Sequence, residues 1–231
     1  MKREKAPEMV LDTFPFQGIF PRARIYQNAI PAALFKQFRD WALGIHPTPE
    51  GKTVWFPLNR SPRYLPEKVI AHLYRLIQRE CKVRYLGAEW WMGYRKPEDS
   101  FHYHVDRDES LFQKTRKMVN PDLATILYVT GSGGATFIPN DFIRPETGKI
   151  SRAAVTSSLK IFPRPNKYAA FSGNLFHSVL AGEPSSSPNA ELRITFLVNF
   201  WNQRPHKPAS IDPDPSFIVR SLKGDFLNAH Y

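Results

Sequence analysis

Apolar positions in the first third of the chain recur at helical spacing. After Pro31, the residues Leu34, Phe35, Phe38, Trp41 and Ala42 fall three and four apart, which is the period of one face of an α-helix. Proline suits a first turn because its missing N–H would find no intrahelical acceptor there. Val69, Ile70, Leu73, Leu76 and Ile77 repeat the pattern after Pro66, so two amphipathic helices are predicted, each with one stripe to bury. From residue 83 the texture changes to short aromatic and β-branched runs at 85–94, 101–105, 125–129, 135–138, 159–162, 168–171 and 193–201. Breakers separate them, among them Lys96-Pro97-Glu98-Asp99, Gly131-Ser132-Gly133-Gly134 and Pro163-Arg164-Pro165-Asn166. Many short strands at modest spacing predict a sandwich or barrel of antiparallel sheets.

Helices first and strands afterwards predict an α+β fold that is mainly β. The expected organisation is a single domain. Residues 1–82 form an N-terminal extension with supporting helices, 83–201 a β core, and 202–231 an extended tail carrying Pro205, Pro208, Pro213 and Pro215. Composition agrees, since 231 residues with 42% hydrophobic content supply one sizeable core. No apolar run approaches the roughly 18 residues of a membrane span. The basic N-terminus is not followed by the apolar stretch of a secretory signal. Cys81 is the only cysteine, which excludes an internal disulfide and a cysteine-rich zinc site. A cytoplasmic or nuclear setting is the expectation. The net charge of +11 attracts anions at long range. Its Lys and Arg residues are scattered rather than blocked, so an ordinary solvated basic surface and a nucleic-acid-binding surface both stay open.

The chemistry concentrates at Phe101-His102-Tyr103-His104-Val105-Asp106, at the end of a predicted strand. Residues two apart on a strand face the same side, so His104 and Asp106 can offer an imidazole nitrogen and a carboxylate oxygen to one point. Two histidines and one carboxylate with open positions is the arrangement of non-haem iron(II) oxygenases, and His177 is the candidate third ligand. His102 shares the parity of His104, and the two could instead form a ligand pair for another metal. Arg193-Ile194-Thr195 lies in the last apolar run, 16 residues beyond His177. A guanidinium fork beside a hydroxyl suits a buried carboxylate.

With these motifs in place, residues 83–201 resemble the 2-oxoglutarate and iron(II)-dependent dioxygenase superfamily, in particular its prolyl-hydroxylase-like branch. The resemblance rests on His104-x-Asp106, His177 and Arg193-x-Thr195. It rests also on Leu127-Tyr128-Val129-Thr130 followed by Gly133-Gly134-Ala135-Thr136-Phe137, and on the approach from Pro163 to His177. It implies a double-stranded β-helix, the jelly-roll or cupin-like barrel, with helices on one side. It implies that His104, Asp106 and His177 bind Fe(II), and that Arg193 pairs with the far carboxylate of 2-oxoglutarate with help from Thr195. Tyr128 and Tyr94 match positions near that cosubstrate, although both fit equally as core tyrosines with a satisfied hydroxyl. The expected activity is hydroxylation of an unidentified protein side chain or small molecule, with 2-oxoglutarate and O₂ giving succinate and CO₂.

Segments 99–120 and 140–158 are candidate lids, and Trp90, Trp91 and Trp201 either line a pocket or pack. The sequence departs from the superfamily in its long charged segment between Asp106 and Tyr128 and in the Ser185-Ser186-Ser187-Pro188 loop before Arg193. Members that repair alkylated nucleic acid carry a second arginine six positions after the first, where this chain has Asn199. The competing expectations are a basic nucleic-acid-binding or nucleic-acid-modifying barrel, and a cupin-like metalloprotein that does not use 2-oxoglutarate.

Overall fold

In the computed structural model, residues 8–11, 23–44, 53–81, 84–139, 141–143, 149–152, 158–184 and 191–206 are described. The elements run in the order β1 (Glu8–Leu11), β2 (Arg24–Gln27), α1 (Ala32–Gly44), β3 (Val54–Pro57), α2 (Leu65–Cys81), β4 (Gly87–Arg95), β5 (Phe101–His104) and α3 (Glu109–Thr115). They continue with β6 (Leu123–Tyr128), β7 (Thr136–Ile138), β8 (Asp141–Ile143), β9 (Ile150–Arg152), β10 (Leu159–Ile161), β11 (Lys167–Ser172), β12 (His177–Val179) and β13 (Arg193–Trp201).

The larger sheet has the order β1-β2-β11-β6-β13-β4-β3 and the smaller one β10-β7-β12-β5, with β8 and β9 forming a separate ribbon. Pairing within both sheets is antiparallel. The protein is therefore mostly β, as the strand texture predicted, with two antiparallel sheets and few helices.

Strand β13 shows how one sequence serves two layers. Alternate residues of a strand face opposite ways. Ile194, Phe196, Val198 and Phe200 join one core with Phe38 and Trp41 of α1 and Val69, Ile70, Leu73 and Ile77 of α2. Helix and sheet touch directly where Phe38 meets Phe196, with ring centroids 4.8 Å apart. The opposite parity of β13 is Arg193, Thr195, Leu197, Asn199 and Trp201, which looks towards the smaller sheet. There Ala124, Ile126, Tyr128, Ala169 and Phe171 of the larger sheet pack with Ile138, Ile161 and Leu175. Each large apolar side chain buried in this way contributes about 1.5–3 kcal/mol. Polar residues on the inner parity of β13 are thus a departure from the core pattern, and they mark the site.

The helices begin where the sequence predicts. α1 follows Pro31, and the chain entering it is clamped by Asn166, which donates to the Ile30 carbonyl at 2.8 Å and accepts from the Ile30 N–H at 3.1 Å. α2 is closed by the buried Glu67, whose carboxylate accepts from the Arg63 and Tyr64 N–H groups at 2.6 and 3.2 Å. An acid there also meets the positive end of the helix dipole.

Three features were not predicted. The N-terminal extension contributes strands β1, β2 and β3 as well as helices. Runs of four residues carry too little periodicity to show, and they become strands by pairing at the sheet edges. α3 lies inside the 99–120 segment expected to be a lid. It is made by its caps, with Asp108 accepting from the Leu111 N–H at 2.9 Å and Arg116 ending it in the left-handed region. The other expected lid, 140–158, contains β8 and β9, and most of its remainder lies outside the described residues, as do the 185–188 loop and the tail from 207 onward. Among the described residues no helix is long and apolar enough to cross a membrane.

Candidate metal and anion site

His104 and His177 stand directly opposite each other on β5 and β12. Opposed residues in an antiparallel pair sit side by side on one face, and the two imidazole rings have centroids 4.3 Å apart. β12 is a strand of three residues held between β5 and β7, so pairing alone supplies its geometry. Asp106 follows β5 by two residues. Its backbone is pinned by the Asn120 side chain, which donates to the Asp106 carbonyl at 2.6 Å, and by the Asp108 N–H bonded to Val119 at 2.8 Å.

The result is a convergence of donor atoms. Nε2 of His104 lies 3.7 Å from Oδ1 of Asp106, and Nε2 of His177 lies 3.9 Å from Oδ2. One donor atom from each of the three residues lies within 4.8 Å of the others. Bonds of about 2.1 Å to one cation place neighbouring donors about 3 Å apart, so binding would draw these atoms inward by roughly 1 Å or more.

The other ring nitrogens complete the arrangement. Nδ1 of His104 pairs with the His102 carbonyl at 2.9 Å, and Nδ1 of His177 with the Leu175 carbonyl at 3.2 Å. A carbonyl only accepts, so each Nδ1 carries its proton and each Nε2 presents a lone pair. Burial and the neighbouring His177 hold the His104 imidazole well below its ordinary value, at about 4. It is neutral at pH 7, the form a metal requires. His102 supplies this backbone carbonyl, and its own ring is not among the converging groups. Asn199, on the inner parity of β13, donates to Oδ2 of Asp106 at 3.1 Å and orients the carboxylate.

Further along β13 the polar row continues. Arg193 is only 3% exposed and Thr195 only 2%. The guanidinium reaches the Gly134 carbonyl from Nε at 3.3 Å and the Thr136 hydroxyl from Nη2 at 3.0 Å. It lies 5.5 Å from the centre of the Tyr128 ring. Tyr128 is fully buried on β6, and its hydroxyl donates to Thr136 Oγ1 at 2.7 Å. Burial lowers the Arg193 value and raises that of Tyr128. Among the described residues no carboxylate forms an ion pair with Arg193. A buried cation with only neutral partners retains a large desolvation cost, and an anionic ligand is what relieves it. Gly133, at φ +87°, lets the turn pass against the Arg193 side chain, where a Cβ would sit 2.7 Å from it.

Tyr94 is placed elsewhere. It has the outer parity of β4, and its hydroxyl donates to the Ala42 carbonyl of α1 at 2.8 Å. Burial raises its ionisation well above the ordinary tyrosine range. It braces the helix layer and is not brought to the metal or the guanidinium. Tyr94→Phe is therefore expected to cost about 1 kcal/mol of stability, with cosubstrate affinity unchanged; denaturant unfolding and ligand titration check the two halves. Trp90 likewise packs outward, edge-on to Phe196 at 5.5 Å. Trp91 has the inner parity, and Trp201 is fully buried.

Glu89 pairs in register with Asn199 on the inner face. Burial first, and the Asp106 and Asp108 carboxylates after it, raise its pKa to about 7 against the partial offset of the Thr53 hydroxyl at 2.5 Å. The folded chain then keeps a proton that the unfolded chain loses above about 4.5. Stability from this residue falls as pH rises from about 4.5 to 7 and stays lower above that. Glu89→Gln is expected to remove the slope and to gain on the order of 1–3 kcal/mol over the parent at pH 8, read from urea unfolding at pH 5 and 8.

Asn199, Thr136 and Glu89 escaped the sequence reading. A signal existed for the first, because Asn199 shares the parity of Arg193 and Thr195 on one strand. None existed for Thr136 and Glu89, which join the site through cross-strand and cross-sheet neighbours.

No protein-family model matches the sequence, and no curated protein matches it. Among solved structures, an oxidoreductase of the 2OG-Fe(II) oxygenase family from Burkholderia pseudomallei is 9% identical with a TM-score of 0.51, over 81% of this chain and 87% of that one. A prolyl-4-hydroxylase from Pseudomonas putida is 13% identical with a TM-score of 0.49, over 79% and 89%. HygX from Streptomyces hygroscopicus, with nickel, 2-oxoglutarate and hygromycin B bound, is 11% identical with a TM-score of 0.47, over 79% and 86%. In the arrangement of its chain this protein resembles the 2OG-Fe(II) oxygenase fold.

Proposed function

We propose that this protein is an Fe(II)- and 2-oxoglutarate-dependent dioxygenase built on a double-stranded β-helix, hydroxylating a protein side chain or small molecule. The observation that carries the reading is a convergence of polar groups between the two sheets. Two imidazole Nε2 atoms and a carboxylate meet near a point, and a buried guanidinium, without a carboxylate partner among the described residues, stands on the inner row of β13 that also carries Asn199. The donor set suits a facial 2-His-1-carboxylate centre with positions left open.

His104, Asp106 and His177 would hold the iron, with Asp106 offsetting part of its charge. Arg193 would pair with the remote carboxylate of 2-oxoglutarate, and Thr195, Tyr128 and Thr136 would offer hydroxyl groups around it. When bound, the iron and cosubstrate supply O₂ activation, with the cosubstrate leaving as succinate and CO₂. The protein's own contribution is positioning and the exclusion of water. His177 at 5% exposure and Arg193 at 3% lie deep, whereas the His104 side chain at 25% faces the mouth. A substrate therefore approaches past His104.

The test is reconstitution with Fe(II) under anaerobic conditions, followed by air and labelled 2-oxoglutarate. Slow release of labelled succinate without added substrate is expected. Wild-type protein that takes up no iron and consumes no 2-oxoglutarate would contradict the reading.

A further inference from the structure

Arg193 is not the only guanidinium on this inner face. Arg95, the last residue of β4, lies directly opposite it in the β4–β13 register, and the two share one face of the sheet. Like charges in directly opposed positions repel, and Arg95 is among the groups that depress the ionisation of Arg193. Among the described residues neither has an acidic partner. Among the described residues Arg95 makes no ion pair and no side-chain hydrogen bond, and its recorded contact is with the Phe101 ring, 4.0 Å from guanidinium carbon to centroid. That ring in turn stands edge-on to His104, with centroids 4.8 Å apart.

The two side chains diverge from their paired backbones. Arg193 runs towards Gly134, Thr136 and Tyr128, and Arg95 runs towards Phe101 and the metal-side strand β5. Gly93, the next inner position on β4, adds no side chain, and a Cβ there would sit 2.7 Å from the Thr195 hydroxyl. The Thr195 hydroxyl and, at 3.1 Å, Leu197 Cδ1 fill the place a side chain there would take, so Thr195 lies close over β4 beside the two arginines. Two cations on one face with no acidic partner among the described residues are the electrostatic complement of a dianion.

We propose that Arg95 is a second guanidinium of the cosubstrate site, which together with Arg193 selects a dicarboxylate 2-oxo acid over a monocarboxylate one. The proposal rests on the dioxygenase reading above. Arg95 acts as a positioning and specificity residue, taking no part in bond making.

The test titrates 2-oxoglutarate and, separately, 2-oxobutanoate into manganese-loaded wild-type, Arg95→Gln and Arg95→Lys proteins by calorimetry. Wild type is expected to prefer 2-oxoglutarate. Arg95→Gln should weaken 2-oxoglutarate binding at least about tenfold, leave 2-oxobutanoate within about twofold, and leave manganese affinity unchanged. Arg95→Lys should recover part of the loss, since charge returns without the fork. A further readout separates this from a structural role. The ligand-free Arg95→Gln protein should melt no lower than wild type, because a repulsion is relieved, while its stabilisation by 2-oxoglutarate shrinks. Unchanged 2-oxoglutarate affinity in Arg95→Gln, or equal loss for both acids, overturns the proposal. If wild type itself binds no 2-oxoglutarate, the dioxygenase reading has failed instead.

Discussion

Asp106→Ala is expected to lower affinity for Fe(II) or Mn(II) by more than about 100-fold and to abolish 2-oxoglutarate consumption. Asp106 is the only anion among the three converging groups, and its oxygens face Nε2 of His104 and of His177 at 3.7 and 3.9 Å. Without it two neutral imidazoles remain. Losing an outer partner that merely orients a ligand typically costs 10–100-fold in metal affinity, by order of magnitude about the loss expected for Asn199→Ala, and a ligand itself costs more. The fold should survive, because Asp106 lies after the end of β5 and the loop keeps its Asp108–Val119 bond. Metal titration beside circular dichroism checks both parts. His177→Ala should abolish metal binding equally and destabilise the protein as well, since that ring is 5% exposed and packs edge-on to Phe171 at 5.1 Å.

The second large effect belongs to Arg193→Gln, expected to weaken 2-oxoglutarate binding by on the order of 10²–10³-fold while sparing the metal. Truncating one member of a buried charge-assisted pair costs about 2–5 kcal/mol. The guanidinium has no acidic partner among the described residues that could be left behind, so the loss falls on the ligand rather than on the apo protein. Gln retains one donor near the place of Nε, within reach of the Gly134 carbonyl. Kinetically the effect should appear as a rise in KM for 2-oxoglutarate at saturating iron. Calorimetry on manganese-loaded protein gives the same quantity without turnover.

The candidate metal site was legible because its geometry is nearly local. His104 and Asp106 are two residues apart, and strand parity alone aims them together. His177 was a candidate third ligand with no spacing behind it, and its reason is the β5–β12 register, which no spacing along the chain encodes. Arg193 and Thr195 were legible through their shared parity. Tyr94 was suggested by the resemblance alone, and β4 turns it outward to Ala42. Both long helices showed in the sequence because their stripes span several turns. The short strands β1, β2 and β3 did not, since tertiary pairing rather than pattern makes them strands. Glu89 and Arg95 read as ordinary charged residues on an aromatic strand until β13 is laid beside them.

The most direct test of the account is a crystal soaked with Mn(II) and 2-oxoglutarate. The account predicts one metal peak bonded at about 2.1 Å to Nε2 of His104, a carboxylate oxygen of Asp106 and Nε2 of His177, with the remote carboxylate of the bound diacid on Arg193. A metal held elsewhere, or a His177 ring turned away from Asp106 with no metal bound, would contradict it.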